Sequence, residues 1–84
     1  MRDSDMAEVL AYAAAIDNRT IAEVDATVWR EVVEATLGDV QPHDAKLAVR
    51  AHYAGEPRRL MPSHIVEFVR RLRRARIEHI LPAY

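Results

Sequence analysis

With 84 residues, half of them apolar, and 13 acidic against 12 basic side chains, the chain has the makings of one small domain with a packed interior. It has no cysteine, which excludes a disulfide framework and a cysteine-ligated zinc site. Two glycines, abundant alanine and no long alternation of β-branched residues point to an all-α fold.

The opening "MRDSDMAEV" is acidic and polar, unlike a secretory leader. The apolar run Val9–Ile16 is far shorter than the roughly 20 residues that cross a bilayer. A cytoplasmic protein without a membrane partner is the expectation. The first helix is predicted over residues 4–17. Ser4 is a suitable N-cap, and Asp5 and Glu8 suit the positive end. Met6, Val9, Leu10, Ala13 and Ile16 recur at spacings of three and four and form one apolar stripe. Asn18 fits the left-handed conformation that ends helices.

The second helix is predicted over residues 25–37. Asp25 is its expected cap, with "TIAEV" as a preceding turn that packs Ile21 and Val24. Val28, Trp29, Val32, Val33 and Leu37 make its expected buried face, with Trp29 as the core's largest anchor. Gly38 is the C-terminal glycine. The third helix is predicted over residues 42–54, opened by Pro42. Ala45, Ala48, Val49 and His52 share a face, with Tyr53 beside it. The fourth is predicted over residues 62–80, opened by Pro62 with Ser63 as a near-end cap. Leu60, Met61 and Ile65 are expected to seal its start to the core. Ile65, Phe68, Val69, Leu72 and Ala75 follow as its apolar stripe. Short connections between such elements give a small four-helix bundle-like domain with a long basic C-terminal helix.

Charge is unevenly placed. Residues 1–56 carry 11 acidic and 5 basic side chains, and residues 57–84 carry 2 and 7. Eleven of the twelve basic residues are arginine, which a GC-rich genome also produces. In the fourth helix, Arg70, Arg71, Arg73, Arg74 and Arg76 occupy the surface left by the apolar stripe. Three readings of that surface stand. It is a solvated face with internal Glu67–Arg71 and Arg74–Glu78 pairs. It docks an acidic protein. Or it contacts nucleic-acid phosphates. No Asn or Gln accompanies the arginines, so base-specific readout has little support. Ile77, Ile80, Leu81 and Tyr84 extend past the expected core and offer apolar area to a partner or a second copy.

Signals for catalysis are poor. The chain has no Gly-rich phosphate loop, nucleophile elbow or Cys–His pair. Glu31 and Glu34 read as solvent-facing carboxylates rather than an acid–base dyad. His43, His52, His64 and His79 are 9, 12 and 15 residues apart, with no His-x-x-x-His pair to grip a metal. His52 and His64 read as packed, hydrogen-bonded histidines at a helix junction. The expectation is a non-catalytic protein with no cofactor.

Three features together resemble a known family: Trp29 in the second helix, "DAKLAVRAHY" (Asp44–Tyr53), and "LMPSHI" (Leu60–Ile65) at the start of a basic helix. The pattern looks like the folded N-terminal domain of phage replicative-helicase loader/inhibitor proteins, and it is similar to small actinobacteriophage proteins of that type. The resemblance spans roughly residues 6–76. It implies an all-α bundle that binds the hexameric replicative helicase, restrains its ATPase and unwinding activity, and helps deliver it to the initiator. A bacteriophage DNA-replication adaptor acting in the host cytoplasm is the expectation that follows. Its partner face is placed at Arg70, Arg73, Arg74, Arg76, Ile77, Ile80 and Leu81. A DNA-binding regulator using the same helix, and a self-associating host-inhibiting protein dimerising through Ile80 and Leu81, are the alternatives.

Overall fold

The structure, a computed structural model, describes the backbone of residues 1–20 and 23–80 and the side chains of residues 1–20 and 25–77. Four helices make it up: α1 (Asp3–Asp17), α2 (Glu23–Leu37), α3 (Pro42–Gly55) and α4 (Pro62–Ile80). No strand occurs among the described residues. The helices form a ring. α1 packs on α2 and α3, and α4 packs on the same two, while among the described residues the diagonal pairs α1–α4 and α2–α3 show no close backbone approach.

Local backbone rules set the helix ends. Asn18 takes φ 57° and ψ 35°, and its N–H donates to the Ala14 carbonyl at 2.8 Å. Gly38 sits at φ 71°, where a Cβ is disfavoured, and its N–H closes on the Glu34 carbonyl. Pro42 and Pro62 each occupy the first helical position, where a missing N–H costs nothing. Ser4 is not the cap expected of it. α1 begins one residue earlier, and the backbone N–H of Arg2 donates to Asp5 Oδ2 at 2.8 Å. α2 likewise begins before Asp25, at Glu23. The expected packing of Ile21 and Val24 lies outside the described residues.

One apolar core fills the ring. Met6, Val9, Leu10 and Ala13 come from α1, Ala26 and Val33 from α2, Ala45, Ala48 and Val49 from α3, and Ile65 and Val69 from α4. Val40 and Leu60 join from the connections, both fully buried. Ile16, Val28 and Val32 are each 48% exposed, although the apolar pattern placed them inside. The reason is helical phase. On α2 the inward stripe runs Ala26, Trp29, Val33 and Leu37 at steps of three and four, and Val28 and Val32 sit one position off it. With only two neighbours per helix, the ring covers a narrow arc of each. Met61 is also exposed, so of the three residues expected to seal the start of α4 only Leu60 and Ile65 are buried.

Candidate functional site

α4 divides its arginines between two jobs. Arg73 turns toward α2. Its Nη1 donates to the Leu37 carbonyl at 2.8 Å and its Nη2 to the Asp39 carbonyl at 2.5 Å. These are carbonyls at the end of α2 and in the turn after it, where a cation complements the helix dipole. Arg76 turns toward α3. Its two terminal nitrogens donate to Asp44 Oδ2 at 2.9 Å and Oδ1 at 2.7 Å. Asp44 is only 4% exposed. That fork, with help from the nearby His43 and Arg73 charges, holds its carboxyl below the usual carboxylate range despite the opposing effect of burial.

Arg70, Arg71 and Arg74 remain on the outer surface, all exposed, and none forms an ion pair with another described side chain. Arg74 and Ile77 are three apart and share that surface, with Ile77 57% exposed. The expected Glu67–Arg71 pair does not form within 4 Å. Glu78 and Ile80 have side chains outside the described set, and Leu81 and Tyr84 lie outside it altogether. Of the residues expected to meet a partner, the structure therefore brings Arg70, Arg74 and Ile77 together at the surface, adds Arg71, and ties Arg73 and Arg76 into the bundle.

Beside this face, the end of α3 and the first half of α4 border an open groove of about 560 Å³. Gly55, Phe68 and Leu72 give it apolar area, and His52, His64 and Arg71 line it as well. The two histidines are packed and hydrogen-bonded at the helix junction, as their positions suggested. His52 Nε2 lies 2.6 Å from the Arg58 carbonyl, and His64 Nδ1 accepts the Met61 N–H at 2.8 Å. Thus His64 rather than Ser63 closes the first turn of α4.

A polar cluster on the other side of the junction positions α4. Arg19 Nε donates to both Asp17 oxygens, at 3.0 and 2.9 Å, and Arg19 Nη2 donates to the Leu60 carbonyl at 2.9 Å. The Tyr53 hydroxyl donates to Asp17 Oδ2 and accepts the Leu60 N–H, the latter at 2.8 Å. Both peptide groups of a fully buried leucine are thereby satisfied by side chains. The Arg19 and Asp17 side chains are only 8% and 9% exposed. Arg19 also lies over the Trp29 ring, 5.2 Å from its centroid. The guanidinium lowers the Asp17 carboxyl to about 2, with a smaller contribution from Tyr53 and burial acting the other way. Pattern reasoning did not find this cluster. The available signals were the Asp-x-Arg at the end of a helix and the need for a polar tip on Tyr53 near buried backbone.

Glu34 pairs with Arg30 at 3.3 Å, whereas Glu31 stays in solvent, so the two carboxylates have different surroundings. Among the described residues no three His, Asp or Glu side chains gather as a metal site. No described helix is long and apolar enough to cross a membrane. Comparisons with protein-family models, curated proteins and solved structures give no match.

Proposed function

We propose that the chain is a non-catalytic docking module whose outer α4 face binds an acidic protein surface. The observation that carries this reading is the sorting of the arginines. Arg73 and Arg76 are held by the bundle, and Arg70, Arg71 and Arg74, next to exposed Ile77, form no ion pair with another described side chain. A charged set around an apolar residue gives a partner both steering and area. α4 is fixed to α2 and α3 by its own arginines, so the face is presented on a rigid element.

The resemblance of Trp29, Asp44–Tyr53 and Leu60–Ile65 to the phage loader/inhibitor pattern makes the hexameric replicative helicase, or its initiator, the partner of first choice. Binding there modulates or loads the helicase without chemistry in this chain. Two arms test the reading by measuring binding of the purified chain to a bacterial replicative helicase and to duplex DNA at low salt. The expected result is helicase binding that Arg70→Glu/Arg71→Glu/Arg74→Glu weakens at least about tenfold, with no DNA complex. Duplex binding with a steep salt dependence and no helicase complex overturns it in favour of a phosphate-binding regulator. Unchanged helicase binding by the folded triple variant also overturns it.

A further inference from the structure

The rings of His52, in the last turn of α3, and His64, in the first turn of α4, stack with centroids 4.3 Å apart and planes 27° apart. Their hydrogen bonds fix where the protons sit. A backbone N–H points at His64 Nδ1, so that nitrogen must offer its lone pair, and the ring proton of neutral His64 is on Nε2. The Arg58 carbonyl can only accept, so the His52 Nε2 opposite it carries a proton.

Adding a proton to His64 sets N–H against N–H at Met61. It also places a positive charge at the N-terminal end of α4, the end that disfavours cations. A second proton, on His52, stacks two cations face to face. The surrounding charges nearly balance. Glu56 and Arg58 in the connection pair at 3.5 Å, and Glu67 and Arg71 flank the groove from α4. On α3, Tyr53 meets the His52 ring edge-on, and beyond it the Asp17 carboxylate and the Arg19 guanidinium are paired with each other. The lost acceptor and the ring–ring contact therefore decide the outcome.

We propose that the His52–His64 stack is a proton-sensitive latch: neutral, it closes the first turn of α4 and holds the groove; protonated at His64, it releases Met61 and opens the α3–α4 junction. The latch goes beyond the docking reading and holds whatever α4 binds.

Nitrogen-15 NMR and amide exchange on the full chain at pH 8 and pH 5 test it without any partner. At pH 8 the His64 ring is expected as the Nε2–H tautomer. On going to pH 5, the opening of the Met61 amide, corrected for intrinsic exchange, is expected to rise about tenfold, the scale of one lost hydrogen bond. Leu10, in the core of α1, keeps its protection. His64→Gln retains an acceptor three residues into the turn but cannot titrate, and its Met61 opening is expected to be the same at both pH values. The Nδ1–H tautomer at pH 8, equal Met61 opening at both pH values in the unsubstituted chain, or the same pH response in His64→Gln overturns the proposal. So does a parallel loss of protection at Leu10, which marks general acid unfolding.

Discussion

Arg76 grips both carboxylate oxygens of Asp44 across the α3–α4 seam, at 2.9 and 2.7 Å, with the carboxylate buried and the guanidinium half in solvent. The asymmetry matters more than the pair itself. A buried carboxylate without its partner is costly, whereas a half-exposed arginine without its partner returns to water.

Arg76→Met is therefore expected to lower Tm by about 5 °C, on the scale that relates stability to melting for a chain of this size. Arg70→Met, on the exposed outer face, should leave Tm within about 1–2 °C. Asp44→Asn combined with Arg76→Met should recover part of the loss, because no buried charge is left alone. Thermal denaturation followed by circular dichroism, run as a double-mutant cycle, measures the coupling.

Tyr53→Phe removes the hydroxyl that bridges Asp17 and the Leu60 N–H. It leaves a buried peptide N–H unsatisfied, at an expected cost of about 1–3 kcal/mol in urea unfolding. The same cluster sets part of the acid limb. The Asp17 carboxyl is lowered from 3.8 to about 2 in the folded chain. A lowered carboxylate binds its proton more weakly when folded than when unfolded. Its stabilisation is therefore complete above about pH 4 and is lost as pH falls towards about 2. The size of that contribution is at most about 2 kcal/mol. Asp17→Asn should be less stable at pH 7 and show a flatter stability profile between pH 4 and 2.

Apolar side chains on α2 and in the connection before α4 should behave in opposite ways. Leu60 is fully buried, and Leu60→Ala is expected to cost about 2–5 kcal/mol. Val28→Ser and Val32→Ser, at half-exposed positions, should each stay within about 0.5 kcal/mol of the parent. Chemical denaturation of the three variants tells a core position from an off-phase one.

The helices and several of their ends were legible because they follow local rules, although the caps expected at Ser4, Asp25 and Ser63 were not. Pro42 and Pro62 start helices, Asn18 takes the left-handed conformation, and Gly38 ends α2, each for reasons contained within a few residues of sequence. The phase of α2 was less legible. Val28, Trp29, Val32 and Val33 are apolar neighbours, and a pattern alone does not say which pair faces a ring that covers only part of the helix. The division among the arginines was not legible at all. Arg73 and Arg74 are adjacent and chemically identical, and what separates them is the end of α2, 34 and 36 residues away in the chain. The Asp17–Arg19–Tyr53 cluster was hidden for the same reason.

The Arg19–Leu60 contact has a consequence for the order of assembly. α1 and α4 make no close backbone approach among the described residues, and a guanidinium just after α1 and a carbonyl just before α4, 41 residues apart, link the two. Such a non-local contact carries a loop-closure entropy cost that no single helix bears. Arg19 and Asp17 are near neighbours and can pair early, leaving Tyr53 and Leu60 to arrive later as the chain is made. The final placement of α4 thus depends on a site prepared in the segment just after α1, and a lesion at residue 19 would surface as a misplaced α4.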